Sequence, residues 1–145
     1  MQKIFISSFC VLFEDYDLLE QLCKSCPEVP MGAELGTSWP IPNFDELLDS
    51  QVPRFASGPV TLHAPFVEIS GAPDSPERAA MEAAFAKAFR WYHLFGAESM
   101  VMHTHERAVP ADERAQLQEW SLEAIRSTAA KAKAEGLHLT VENVG

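Results

Sequence analysis

Three side chains in this chain of 145 residues have the types and placement to do chemistry together: His63, His103 and Glu142. Each stands near the C-terminal end of a short apolar run, in Val60–Ala64, Ser99–His103 and Leu137–Val144. Imidazole and carboxylate are the ligand types of zinc, manganese and iron. Two His and one Glu suffice for an open zinc site with water in the fourth place. The alternative is that each merely makes hydrogen bonds inside a polar pocket. His105 lies two residues past His103, on the same side if the strand persists, and could touch a ligand or substrate. His138 enters its strand at the opposite end and reads as structural, as does His93 on a helical segment.

The cysteines offer less. Cys23 and Cys26 form a CxxC, and Cys10 is left over. A redox pair owes its low pKa to the start of a helix. Here the pair closes an amphipathic run (Leu18, Leu19, Leu22), and no second CxxC completes a zinc site. Reduced, inert thiols are expected.

The elements that must position the three residues alternate strictly. Lys3–Phe9 reads as a buried strand rather than a secretion signal, because Glu14, Asp15 and Asp17 follow it in place of a cleavage site. A helix is expected over Asp15–Ser25 and a second strand over Gly32–Thr37. A short helix before Pro53 would open on a capping box of Asn43 and Glu46. Pro59–Ala64 is the third strand. A long helix starts at Ser75-Pro76, places Met81, Phe85, Phe89 and Tyr92 on one face, and stops at Gly96. Ser99–His103 is the fourth strand. A helix over Asp112–Glu135 carries Leu117, Trp120, Ala124, Ile125 and Thr128, with Gly136 just past its end. Leu137–Val144 is the fifth strand. No apolar run reaches the roughly 20 residues of a membrane span.

Strand–helix alternation of this kind means parallel strands with crossover helices, in an open sheet or a (β/α) barrel. No GxGxxG or P-loop follows the first strand. Period two then decides. Val60, Leu62 and Ala64 alternate with Thr61 and His63; Met100 and Met102 with Val101 and His103; Leu139 and Val141 with Thr140 and Glu142; Ala33 and Leu35 flank Glu34. One face is apolar, and the other carries polar groups at matching heights near the strand ends. That is how a barrel builds its active site. The expected fold is α/β: a partial (β/α) TIM-type barrel of about five parallel strands and four helices, one domain over 1–145. Its unpaired edges should be covered by another copy of the chain, giving a homo-oligomer.

The motifs Thr61-Leu62-His63-Ala64-Pro65-Phe66, Ser70-Gly71-Ala72-Pro73-Asp74 ahead of Arg78, Gly96-Ala97 leading to Val101-Met102-His103, and Glu135-Gly136 leading to Val141-Glu142-Asn143 resemble the xylose isomerase-like barrel superfamily. That superfamily includes sugar and sugar-phosphate isomerases and epimerases and the endonuclease IV type of repair enzyme. The resemblance covers nearly the whole chain, as the N-terminal part of such a barrel. It implies a divalent metal (zinc, manganese or magnesium) at the mouth, with Glu142 as ligand and proton-transfer group. His63 and His103 would be metal ligands or substrate contacts. His105, Glu34, Trp39 and Asn143 fall in the substrate pocket. Further Asp, His and Glu ligands of the superfamily come from strands six to eight, which this sequence lacks.

Three functions follow. The first is a metal-dependent isomerase or epimerase of a sugar-like substrate, acting by proton transfer next to a carbonyl, if the barrel is completed. The second is an endonuclease IV-like phosphodiesterase. The third is a truncated barrel that binds a ligand or oligomerises without catalysis. The net charge of −10 counts against a nucleic-acid surface. It suits a soluble, cytoplasmic enzyme or a cation-binding protein better; the expected partner is a small sugar-like substrate.

Overall fold

Each apolar run forms a strand, and every strand pairs in parallel with its sequence neighbour, in the order β1-β2-β3-β4-β5. The strands are β1 (Ile4–Ser7), β2 (Met31–Gly36), β3 (Val60–His63), β4 (Met100–His103) and β5 (Leu139–Glu142). The crossovers carry α1 (Tyr16–Lys24), α2 (Phe44–Ser50), α3 (Val52–Phe55), α4 (Pro76–Phe95) and α5 (Arg114–Ala134). This is a computed structural model, and it describes residues 3–11, 15–104 and 110–142. The short helix expected ahead of Pro53 is α2; the extra turn α3 was not expected, and Pro53 sits in its first turn, where a missing N–H costs no helix hydrogen bond. Five parallel strands and four crossovers, a partial barrel wall, are therefore the architecture expected.

Local chemistry explains most of the helix ends. The Asp15 carboxylate accepts from the Leu18 N–H at 2.9 Å, and the Ser75 hydroxyl accepts from the Arg78 N–H at 3.1 Å. Gly96 and Gly136 follow α4 and α5 at φ 61° and 75°. The capping box at Asn43 does not form. Asn43 adopts the left-handed conformation (φ 57°), which turns its side chain away from the helix, and it makes no cap hydrogen bond.

The core lies between the sheet and the helices. Leu35, Leu62 and Met100 on the strands meet Leu19, Leu48, Trp91 and Phe95 from the helices, all almost fully buried. Met81, Phe85, Phe89 and Tyr92 are buried along α4, as their spacing predicts. The Trp91 indole N–H donates to Asp49 at 2.7 Å, and Arg90 pairs with the same carboxylate at 2.6 Å, tying α4 to α2. Desolvation opposes the Asp49 charge, but these two donors hold its carboxyl below the usual carboxylate value.

The two sheet edges differ from the sequence expectation. β1 is a strand, but Ile4 is 52% exposed, because β1 pairs on one side only. Along α5 only Ala124, Thr128 and Ala132 are buried; Leu117, Trp120 and Ile125 are half-buried. β5 is mostly exposed, for the same reason as β1. The expected continuation of the fifth strand to Val144 lies outside the described residues.

Two predictions test this packing. A Cβ on Gly32 would stand 2.4 Å from the Pro59 carbonyl oxygen and 2.8 Å from Phe5 and Pro59 side-chain atoms. Gly32→Ala is expected to cost about 2 kcal/mol or more in urea unfolding. Tyr16 is buried, and burial pushes its phenol from 10.0 up to about 12. The fold thus favours the neutral form. That stabilisation is complete below pH 10 and is lost as pH rises towards about 12, a change of about 3 kcal/mol. Unfolding followed over this range should lose that extra slope in Tyr16→Phe.

Candidate functional site

Pairing register places the chemistry-bearing residues. His103 is level with Glu142, and Val101 with both His63 and Thr140. His63 is also level with Gly36, and Glu34 with Thr61. The three candidate ligands therefore do not stand at one height in the ladder, as period two alone suggested: His63 sits two residues below His103. Strand tilt, which staggers the register around a barrel, nevertheless brings the rings together. The Nε2 atoms of His63 and His103 are 3.1 Å apart, with the rings almost perpendicular. His103 Nε2 is 3.4 Å from a Glu142 carboxylate oxygen.

His63 is held from several directions. Its carbonyl oxygen accepts from the Thr37 N–H at 3.1 Å and the Thr37 hydroxyl at 2.9 Å. Its ring Nδ1 lies 2.8 Å from the Ala64 carbonyl oxygen. A carbonyl can only accept, so Nδ1 carries the proton and Nε2 presents a lone pair to His103. Phe9 meets the His63 ring edge-on at 5.0 Å, and Phe66 lies against it at 4.6 Å. His63 is buried, His103 is partly exposed, and the Glu142 side chain is 59% exposed.

The donor set suits a metal in part. Two nitrogens bound to one tetrahedral zinc ion stand about 3.3 Å apart, close to the distance seen here. A carboxylate lies next to the pair. Among the described residues, however, no group of three or more His, Cys, Asp or Glu side chains is arranged to hold an ion. The imidazole pair is thus formed, while closure of a three-ligand set is not.

The remaining candidates separate. Trp39, on the β2–α2 connection, has its ring 6.4 Å from Phe9 and borders an open groove beside α4. Glu34 shares the strand face with His63 but lies one step deeper. His105 and Asn143 lie outside the described residues. His138 is exposed, and its N–H donates to the Tyr92 hydroxyl at 3.3 Å. Cys23 closes α1, with its thiol 3.3 Å from the Gly32 carbonyl oxygen; burial and the nearby Glu20 charge push that thiol up, away from reactivity. All three cysteines are free.

Sequence reading missed the cavity beside the histidines, about 250 Å³, walled by His63, Phe66, Glu68, Phe85, His103 and Thr104. Glu68 and Phe66 follow His63 on the β3–α4 connection, where no strand or helix period marks a facing side. Phe9 was assigned to the first strand. The strand instead ends at Ser7, and the single 3-10 turn Ser8–Cys10 turns Phe9 towards the site.

No protein-family model matches the sequence, and no curated protein matches it. Solved structures do match in fold. The TTHB071 protein of Thermus thermophilus, from a ZnCl2 soak, superposes with a TM-score of 0.68 at 21% identity, covering 99% of this chain and 56% of its own. A D-tagatose 3-epimerase-like protein superposes at 0.71 and 15% identity, covering 99% and 53%. Endonuclease IV from the same bacterium aligns more loosely, at 0.49 and 16%, covering 98% and 51%. The chain spans about half the length of these structures. The partial (β/α) barrel expected from the sequence is the fold that the first two likenesses bear out. Among the described residues no helix is long and apolar enough to cross a membrane.

The His63 tautomer is directly measurable. Nitrogen-15 correlation spectra of metal-free protein should show the proton on Nδ1 of His63, against the usual preference for Nε2. A proton on Nε2 would contradict the arrangement described.

Proposed function

We propose that this chain supplies the imidazole-bearing half of a divalent-metal-dependent isomerase or epimerase, acting on a sugar-like substrate by proton transfer next to a carbonyl. The observation that carries the reading is the His63 lone pair facing His103 at 3.1 Å, with Glu142 3.4 Å beyond. His63, His103 and Glu142 would hold the ion, which is zinc, manganese or magnesium. A bound divalent ion supplies polarisation of a carbonyl and its neighbouring hydroxyl, making the proton between them easier to remove.

The chain's own residues do the rest. The Ala64 carbonyl fixes the His63 ring, so that Nε2 stays directed at the site. Phe66 and Phe9 cover the imidazoles and keep water from one side. Glu142, the most exposed of the three, can reach a ligand and hold or move a proton there. A second carboxylate base would come from strands that pair beyond β5 or β1, in a longer chain or a second copy. A phosphodiesterase reading would need a cationic groove, which a net charge of −10 does not favour.

Metal analysis after exposure to zinc and manganese tests the proposal. Wild type should retain about one ion per chain. His63→Ala and Glu142→Ala, each checked for folding by circular dichroism, should bind at least about tenfold more weakly, as losses at ligand positions do. A folded wild type that retains no ion, or mutants that bind as well as wild type, would leave a non-catalytic barrel as the better account.

A further inference from the structure

Resting on that sugar-binding reading, we propose that the site takes a ligand of two rings, a disaccharide or other glycoside. One ring stands at the imidazole pair, and the second lies in the groove beyond Trp39. The cavity beside the histidines, about 250 Å³, lies just below the usual range for small-molecule sites and suits a single sugar ring. The groove holds about 620 Å³, well inside that range. The two meet at Pro65, which walls both. Their aromatic borders are continuous as well: Trp39 lies 6.4 Å from Phe9, and Phe9 lies 5.0 Å from His63. A ligand that leaves the imidazoles across Pro65 therefore enters the groove directly.

The lining of the groove has the chemistry that a sugar ring needs. Trp39 is 38% exposed, so part of its indole is open to the C–H side of a ring. Ala80 and Ala83, exposed on α4, make a floor without bulk. Partners for hydroxyl groups stand at the rim. Asn43 and Glu46 are exposed there, and Lys87 meets Asp45 at 2.5 Å, so donors and acceptors are both at hand. The Asn43 side chain makes no cap hydrogen bond to α2, which leaves its amide to the groove. An apolar surface with a few placed polar groups is how small-molecule sites are built. Thr37 and Ser38 tie the two compartments together, because both line the groove and both hold the site. The Thr37 hydroxyl donates to the His63 carbonyl at 2.9 Å, and Ser38 Oγ accepts from the Phe66 N–H at 3.0 Å. The wall between the two is thus fixed, and a ligand that spans it meets two preformed pockets.

Calorimetric titration of the whole chain, manganese in excess, tests this with D-fructose and two of its disaccharides, lactulose and palatinose, as probes. Wild type should bind at least one disaccharide about tenfold more tightly than D-fructose, the gain expected of one stacked ring. Filling the floor with Ala80→Leu and Ala83→Leu together should bring that disaccharide to within about twofold of D-fructose, whose own affinity stays as in wild type. Asn43→Gly keeps the left-handed backbone and should weaken the disaccharide alone, by about three- to tenfold. A merely structural groove would leave the ratio unchanged in both variants. That result, or a wild type that binds neither disaccharide more tightly than D-fructose, overturns the inference while the sugar-binding reading stands. A wild type that binds none of the three sugars removes both.

Discussion

In a parallel sheet, side chains alternate faces with a period of two, and the pairing register fixes which of them stand side by side. The site depends on that constraint. Alternation sets Thr61 and His63, Val101 and His103, and Thr140 and Glu142 on one face, while Leu62, Met100 and Met102 go beneath the helices. Register then levels His103 with Glu142 and leaves His63 two residues lower. Only the stagger of a tilted, curving sheet lets the His63 and His103 rings touch. A one-residue slip in β4 would send His103 under the helices and expose Met102.

The same constraint explains why so much of the surrounding packing converges on one residue. Thr37 just past the end of β2 grips the His63 backbone, and Ala64 grips its ring. Just past β1, Ser8 accepts from the Gly36 N–H at 3.0 Å, holding the strand end next to His63. Close approach of β2 to its neighbours needs Gly32, where Pro59 leaves no room for a side chain. Helix packing, strand spacing and ring orientation are thus successive layers of support for one imidazole nitrogen.

Much of this was legible in the sequence, and the exceptions have physical causes. The strands, the helices and the inward residues follow from apolar periodicity, a signal every burial decision strengthens. His63 and His103 were legible because they interrupt that pattern at its end. Asn43 misled, because a residue good at capping is also tolerant of the left-handed region. The matching heights of the three candidate ligands misled too, since register belongs to pairs of strands and no single run encodes it. Glu68 and Phe9 were not singled out, and Phe66 entered only as the end of a motif, because connections carry no period. Their proximity to the histidines is a matter of three-dimensional path.

Strand order has a consequence for how the molecule comes into being. Since each of the five described strands pairs with the one immediately before it, no ladder among them waits for a distant segment. Chain closure for every β–α–β step spans only the intervening helix, which keeps the entropic cost of each step small. Synthesis proceeds from the N-terminus, so β1 and β2 can join before β3 is made, and the half-site at His63 can be shaped before His103 leaves the ribosome. Within β1–β5 each new strand adds to the one before it, and the last to be added is the one that carries Glu142.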